Sequence, residues 1–430
     1  MQRSPLPDGI PATAASRSLR VPRPSDRRSV FAIRLLILFL VLEYVRPPLL
    51  AELKLQFVIV VVMLALWWAA RNRPWSRILL AQVLFLAVCA QAIPFASNNY
   101  SAYFTTRTMF GHVVIALGLS WLLATRSTFR TVTSAWLLIM AYVAVFGITH
   151  GGRGPGAMLG DENDLALGCA TAFPFAFYGF ERQSGWRRWV CGAFGGLLVI
   201  AIVMSFSRGG FVALATAGFY CWLASGHKLR ALIAVALAGT VVFFAASDRG
   251  RTGESYFERL TSATRTEEGT AETRRFLWAV ARNMWKAHPI LGVGGGNFPH
   301  LVAKYQPTDF YSPEYLEQDW SGTATHSVYF QVLAEHGSVG ILLLGYIIWA
   351  HYQTIRRLRR TASKRGILSD VTLDAELYGG ALGGAMAGYC AAGAFLSVAY
   401  YPYLWYFSAM AVALEHAVLR EVDGRRVQGS

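Results

Sequence analysis

Long apolar runs, repeated along nearly the whole chain, are the feature that most restricts what this sequence can fold into. Each approaches the roughly 20 apolar residues that an α-helix needs to cross a bilayer. Only 15% of the 430 residues are charged, against about 25% in an ordinary soluble domain. The pattern predicts an all-α, polytopic membrane protein with about twelve transmembrane helices. The runs lie near 30–45, 55–70, 78–94, 109–125, 131–149, 165–180, 189–205, 210–225, 230–247, 328–350, 376–397 and 402–419.

One long interval, 248–327, contains no such run. It predicts a large, partly helical loop outside the membrane, with helices lying at the membrane surface. Nine of the runs fall within 30–247 and three within 328–419. The Pro- and Arg-rich residues 1–29 predict a disordered basic tail, and 420–430 form a second short tail.

The basic residues indicate how the chain is oriented. They cluster in alternate segments between the apolar runs, as they do in the cytoplasmic loops of membrane proteins. We therefore expect both termini in the cytoplasm, on the inner side of a bacterial inner membrane, and 248–327 in the periplasm. The same distribution argues against nucleic-acid binding despite the net charge of +15, because phosphate recognition needs a clustered basic surface.

Metal and ion-coupled chemistry has little support in the sequence. The five cysteines fall within apolar runs and show neither CxxC nor Cys/His ligand spacing, so they predict packing residues. The interval 248–327 has no DxD cluster. The runs also lack an acidic residue clearly at mid-span, where ion-coupled transporters place their ionisable groups.

Arg208 stands in SFSRGG, where one apolar run ends and another begins. The planar guanidinium matches phosphate oxygens in pairs, so this arginine is a candidate clamp on a lipid phosphate. An arginine extending to the lipid headgroups at a helix end explains the residue equally well. Both interpretations stay open on this residue alone.

Arg274 and Arg275 open a segment whose apolar residues recur at helical spacing, which predicts an amphipathic helix at the membrane surface. Two solvated arginines at a helix start are the simpler reading. Further along, Gly292, Gly294 and Gly296 belong to GVGGGN, which can present backbone N–H groups to a phosphate. The sequence lacks the GxxxxGK[ST] pattern of a nucleotide loop, so a glycine turn is favoured.

His326 follows the polar interval and precedes an apolar run. Its pKa near neutrality allows it to accept a proton from a hydroxyl, although a histidine at a helix start is more often a capping or surface residue. Glu335 and His336 would be awkward inside a span that starts at Val328. We therefore predict a short helix ending at Gly337 and a crossing that begins near Val339.

The stretch 151–168, GGRGPGAMLGDENDLALG, is the second polar feature of the predicted outer face. Its acidic and amide side chains predict the cap of the next helix, and capping is sufficient for Asp164. The cluster also has oxygens that suit a sugar or a divalent cation. Arg153 and Asn163 therefore remain candidate substrate-binding residues.

The order of these motifs carries more information than any one of them. SRGG, then R-x-x-x-W, HPxxGxGxGNF and H-S-x-x-x-Q…E-x-G resemble the O-antigen ligase/polymerase family, over roughly residues 201–349. YVRP, GRGPGAMLGDENDLAL and AYYPYLWY further resemble the O-glycosylation ligases found with exosortase systems. Two positions depart from the pattern: Ser327 stands where Asn is common, and Gly295 where Pro is frequent.

The resemblance implies a metal-independent, inverting glycosyltransferase without a cofactor. Such an enzyme takes a glycan from an undecaprenyl-diphosphate carrier and attaches it to a hydroxyl of a lipid or protein acceptor. The arginine of SRGG corresponds to Arg208, the arginine four residues before the loop tryptophan to Arg274, and the histidine to His326; these would be catalytic. The residues that would bind substrate are Arg275, Arg153, Asn163, Gly294, Gly296, Asn297 and Glu335.

Two alternatives remain at this stage. A polysaccharide polymerase of the same family would extend the glycan on its carrier, and the motifs do not separate it from a ligase. A transporter or flippase of lipid-linked oligosaccharide belongs to a different class, and it predicts a continuous polar path through the spans without a need for His326.

Overall fold

The computed structural model describes residues 27–47, 53–70, 73–156, 158–226, 228, 271–307, 319–362 and 369–428. Within these ranges the chain forms helices and turns and no β-strand. The α-helices are α1 Arg27–Tyr44, α2 Leu55–Ala69, α3 Arg77–Ala92, α4 Asn99–Leu122, α5 Arg126–Thr149, α6 Glu162–Arg182, α7 Gly185–Met204, α8 Arg208–Ala224, α9 Ala271–Ala287, α10 Phe298–Leu301, α11 Val328–Ala362, α12 Ser369–Ala392 and α13 Pro402–Gln428, with one 3₁₀ turn at Ala303–Tyr305.

The predicted all-α membrane architecture is confirmed. Eleven of the predicted apolar runs coincide with these helices. The run 230–247, the tail residues 1–26 and much of the interval 248–327 lie outside the described residues. Three described helices, α5, α7 and α11, are long and apolar enough to cross a membrane, and α2 and α3 are apolar but shorter. The twelve-span count and the domain boundaries stay predictions.

The centre of the bundle is built where α6 packs against α7, α8 and α12. Small residues bring these helices close together: a Cβ added to Gly210 would lie 2.2 Å from that of Ala166, and one on Gly384 would lie 3.0 Å from Pro174. Close backbone approach is the usual role of small residues in membrane helices. The Gly- and Ala-rich stretch of 376–397 therefore serves packing.

Outward-facing side chains of the long helices are apolar. Leu138 on α5 is 72% exposed and Leu342 on α11 is 71% exposed. Large apolar side chains exposed to this extent are what a lipid-facing helix presents. The chain is a multi-pass membrane protein.

One end of the bundle, which we call the ion-pair end, is held by arginines and carboxylates. Arg126 opens α5 and binds Asp370 at 2.9 Å, Asp374 at 2.5 Å and Glu421 at 2.7 Å. Arg130 binds Asp374 as well, at 2.7 Å. These contacts join α5, α12 and α13, and they give both arginines structural partners.

The opposite end, which we call the loop end, carries the connections 150–161, 205–207, 288–297 and 393–401. Because α5 rises about 1.5 Å per residue, its last turn lies far from Arg126. A second, smaller core forms here from apolar residues of α9, α10 and the start of α11. Phe276, Leu277 and Val280 of α9 are fully buried in it. The apolar face of α9, which we expected at the membrane surface, is therefore occupied by protein.

Candidate functional site

Arg208 is the first residue of α8, and its side chain is exposed. Ser207 caps the helix, since its Oγ accepts the N–H of Gly210 at 3.0 Å. The same hydroxyl donates to Asn163 Oδ1 at 2.7 Å. Phe206 has a φ of 54°, a backbone conformation that residues other than glycine rarely adopt. The SFSRGG sequence thus forms a tight entry turn that places Arg208 at a helix N-terminus, where the helix dipole favours an anion.

Arg274 and Arg275 differ in their surroundings on α9. Arg275 is exposed, whereas Arg274 is half-buried, and its guanidinium lies 5.5 Å from the ring centre of Phe395. Burial lowers the pKa of Arg274, and the neighbouring positive charge of Arg208 lowers it further. The guanidinium still stays charged at neutral pH. Arg274 is therefore the arginine of the pair that lies close to Arg208.

The Arg274 side chain also has an incomplete set of hydrogen bonds. Its buried Nε has no partner among the described residues, and Arg274 makes no ion pair with any carboxylate there. A buried donor without an acceptor costs free energy. An anion that binds next to Arg208 and Arg274 would both supply an acceptor and reduce the repulsion between the two cations.

His326 directly precedes the Ser327–Val328 start of α11 and has a φ of 50°. Non-glycine residues in this conformation are concentrated at functional sites. The residue before it, Thr325, is buried, and its carbonyl accepts from Trp278 Nε1 at 3.1 Å. Trp278 lies one helical turn after Arg274, so this hydrogen bond brings the predicted base and the predicted arginine to the same region.

The connection between α12 and α13, residues 393–401, contacts the surroundings of all three predicted catalytic residues; we call it the bridging segment. The Gly393 carbonyl accepts from Val328 N at 2.7 Å. Phe395 lies beneath Arg274, and a Cβ on Gly209 would lie 3.4 Å from Leu396. Ser397 Oγ lies 2.9 Å from Thr325 Oγ1.

The sequence interpretation missed the bridging segment as part of the site. Its only sequence signal was the unusual group of aromatic residues in AYYPYLWY, which was read as a family feature. The polar contacts of the segment pair residues that are far apart in the chain, and these pairs have no local pattern.

The glycine-rich loop is inserted into a break in α11. Gly337 has φ 61° and ψ −158°, which interrupts the helix. The N–H groups of residues 338 and 339 therefore do not make the usual helical hydrogen bonds to the carbonyls of residues 334 and 335. Those carbonyls accept instead from Val293 and Gly294 at 3.0 and 2.9 Å. The freed N–H groups donate to Pro289 and Ile290, at 2.8 and 3.1 Å. The predicted helix end at Gly337 is confirmed.

This insertion explains why glycine is needed on both sides. A Cβ on Gly337 would lie 2.4 Å from the Ile290 carbonyl oxygen, and one on Gly292 would lie 2.4 Å from the carbonyl carbon of Glu335. The N–H groups of Val293 and Gly294 donate to protein acceptors and are not available to a phosphate. The turn interpretation of GVGGGN therefore describes this loop, and substrate binding by Gly294 and Gly296 stays a prediction.

Glu335 and Asn297 are both buried and both hold loops. Glu335 Oε1 accepts from Phe298 N at 3.1 Å, and Oε2 accepts from the Tyr400 hydroxyl. The Asn297 side chain accepts from Asn98 N at 2.7 Å and donates to the Asn98 carbonyl at 3.2 Å. These hydrogen bonds are sufficient to explain why the two polar side chains are buried. Substrate binding by Glu335 and Asn297 stays a prediction.

Arg153 and Asn163 lie beside the start of α8. The exposed Arg153 Nε donates to Glu162 at 2.7 Å, and Asn163 reaches Ser207 as described above. A Cβ on Gly152 would lie 2.3 Å from the Met204 carbonyl oxygen, so the loop packs closely on the end of α7. The structure thus brings Arg153, Asn163 and Arg208 to one region of the loop end.

The described ranges contain no group of three or more His, Cys, Asp or Glu side chains arranged to hold a metal ion. Anion binding by Arg208 and Arg274 and proton transfer by His326 stay predictions.

The family model described as O-antigen ligase matches residues 193–345. The matched range begins in α7, includes Arg208, Arg274 and His326, and ends in α11 beyond the Gly337 break. No curated protein shows significant similarity to the chain.

Proposed function

We propose that this chain, whose residues 193–345 match the family model described as O-antigen ligase, transfers a glycan from an undecaprenyl-diphosphate carrier to an acceptor hydroxyl. The observation that carries the proposal is the position of Arg274 at the loop end, half-buried over Phe395 and beside Arg208. Burial lowers the pKa of Arg274, and the positive charge of Arg208 lowers it further. Two adjacent guanidinium groups suit the two phosphates of such a carrier.

The proposed reaction is a single displacement without a metal ion. His326 accepts the proton of the acceptor hydroxyl while the hydroxyl oxygen attacks the anomeric carbon of the glycan. The bond between that carbon and the diphosphate oxygen breaks, and the diphosphate leaves on its lipid. Arg208 and Arg274 stabilise the negative charge that develops on the leaving oxygen. Attack from the opposite face inverts the configuration of the anomeric carbon.

The proposal includes a topology. About twelve helices cross a bacterial inner membrane, both termini lie in the cytoplasm, and the loop end faces the periplasm. Arg275, Arg153 and Asn163 then surround the entrance to the site and bind the glycan or the acceptor. The acceptor is a lipid or a protein, as in the O-glycosylation ligases that the sequence resembles.

The test uses the full chain in proteoliposomes with a labelled undecaprenyl-diphosphate glycan and candidate lipid and protein acceptors. Transfer should persist in the presence of a chelator. His326→Ala and Arg208→Ala should each lower the rate by about 10²–10³, while Arg282→Ala, which changes an exposed arginine of α9, serves as the matched control. Unchanged transfer by the His326 and Arg208 variants would contradict the mechanism. Label that elongates on its carrier would identify a polymerase, and label that only crosses the bilayer would identify a transporter.

A further inference from the structure

Two consecutive tyrosines at the end of the bridging segment are anchored to opposite sides of the site. The Tyr400 hydroxyl binds the outer half of α11, next to the glycine-rich loop. The Tyr401 hydroxyl binds the start of α6. Because the two hydroxyls bind different helices from one turn of the chain, two side chains are enough to connect two separate groups of helices.

Tyr400 connects the bridging segment to the part of the protein that carries Arg274 and His326. Its hydroxyl donates to Glu335 and lies 2.8 Å from His336 Nε2. Its carbonyl lies 2.9 Å from His112 Nε2 on α4. Glu335 in turn binds Phe298 N, so the tyrosine is joined to the loop that follows α9 as well as to α11.

Tyr401 connects the same segment to the part that carries Arg208. Its hydroxyl donates to Asp164 Oδ2 at 2.7 Å. The residue before Asp164 is Asn163, which accepts from Ser207, the cap of the helix that Arg208 opens. Tyr401 is therefore linked to the turn that holds Arg208 through two side-chain hydrogen bonds, one to Asp164 and one between Asn163 and Ser207. Asn163 and Asp164 are consecutive residues of α6.

We propose that Tyr400 and Tyr401 are positioning residues that set the spacing between Arg208 on one side and Arg274 with His326 on the other. The inference rests on the proposed function, since the spacing matters for a diphosphate that both arginines must contact while His326 reaches the acceptor. Misplacement of reacting groups by about 1 Å can cost 10²-fold in rate. Neither tyrosine touches substrate in this account.

The experiment compares Tyr400→Phe, Tyr401→Phe and the double variant with the wild-type chain in proteoliposomes. Each substitution keeps the ring and removes the hydroxyl. Tyr103→Phe is the matched control, because Tyr103 is 53% exposed on α4. We expect kcat to fall about tenfold in each single variant and further in the double variant, while KM for the donor changes less than about threefold.

Hydrogen–deuterium exchange supplies the readout that a general loss of stability would not reproduce. Tyr400→Phe should raise exchange in 393–401 and in the glycine-rich loop, and Tyr401→Phe in 393–401 and around 161–164 and 205–207. The ion-pair end should exchange as in the wild type. Asp164→Asn, which keeps an acceptor oxygen for Tyr401, should retain more of kcat than Asp164→Ala.

Wild-type kcat with wild-type exchange in the double variant would overturn the inference, and so would exchange that rises equally at both ends of the bundle. If the wild-type chain transfers no glycan, the proposed function fails, but the exchange pattern still decides whether the two tyrosines hold the two sides together. The two failures are therefore distinguishable.

Discussion

Arginines lie at both ends of the helical bundle, and the two sets have different neighbours. At the ion-pair end, Arg126 contacts three carboxylates, and its side chain is only 9% exposed. At the loop end, Arg274 lies beside Arg208 and an aromatic ring, and it makes no ion pair within the described ranges. The comparison shows that arginines of one bundle can have opposite electrostatic surroundings: three carboxylates around Arg126, and a second arginine beside Arg274.

The largest expected effect tests the loop end. Arg274→Ala should lower kcat for glycan transfer by about 10²–10³, because it removes one of two charges that stabilise the leaving diphosphate. The unfolding midpoint should not fall, since the substitution also removes the repulsion from Arg208 and a buried donor without a partner.

Initial rates at saturating donor, together with thermal unfolding in detergent, would measure both quantities. Arg275→Ala is the control for charge at the adjacent position, and it should retain most of the rate. Equal losses in the two variants would contradict the assignment of Arg274.

The next effect tests how the loop end is assembled. Gly337→Ala should destabilise the protein by about 1–3 kcal/mol, because its φ and ψ lie in a region that only glycine adopts easily. The added Cβ would also meet the Ile290 carbonyl oxygen at 2.4 Å. Activity should fall with it, since the loop between Arg274 and His326 would leave the break in α11.

Gly345 lies on the same helix with nothing within 4 Å of an added Cβ, so Gly345→Ala is the matched control. It should be neutral or stabilising by up to about 1 kcal/mol. Chemical unfolding and exchange in 288–298 would provide the measurements. A wild-type exchange rate in Gly337→Ala would show that the insertion does not depend on the glycine.

A third prediction concerns the ion-pair end. Arg126→Ala should destabilise the protein by about 2–3 kcal/mol, because Asp374, whose side chain is 6% exposed, loses one of its two arginines. Transfer per folded molecule should stay at the wild-type level, since the site lies at the other end.

Arg187→Ala, which changes an exposed arginine at the start of α7, is the comparison variant and should leave the unfolding midpoint unchanged. If Arg126→Ala lowered kcat without lowering the unfolding midpoint, the ion-pair end would affect catalysis directly, and the prediction would be wrong.

The smallest effect is expected for Arg153→Ala. Its partner Glu162 and its own side chain are solvent-accessible, so stability should not change measurably. If Arg153 contributes to substrate binding as predicted, KM should rise by less than about fivefold with kcat unchanged. Kinetics with varied acceptor and donor would show which substrate is affected, and a fall in kcat instead would place Arg153 among the groups that act on the reacting atoms.

The fold was predictable where a physical constraint acts locally along the chain. Apolar runs of membrane-spanning length become helices because the backbone must satisfy its own hydrogen bonds in lipid. The helix end at Gly337 was predicted from the polar residues Glu335 and His336. Both are nevertheless buried in the folded chain, where the Tyr400 hydroxyl binds them. Motif order named Arg208, Arg274 and His326 as candidate catalytic residues. The structure places the residues around them at the loop end of the bundle.

What the sequence did not reveal depends on contacts between distant residues. The partners of Arg126 lie 244 to 295 residues further along the chain, and hydropathy carries no information about them. The bridging segment was missed for the same reason, since Ser397 finds Thr325 only after the helices pack. GVGGGN was predicted to form a glycine turn, but the break in α11 that accepts this turn is visible only in three dimensions.

The Arg126 contacts also have a consequence for biogenesis. Arg126 is synthesised early, whereas Glu421, one of its carboxylate partners, is made 295 residues later. Until α12 and α13 are inserted, the Arg126 side chain has to remain in contact with water or lipid headgroups, because an uncompensated charge is costly inside the bilayer. The first helices therefore complete their packing only when the last ones arrive, and a ribosome that stalls before α13 leaves an intermediate whose Arg126 is still accessible.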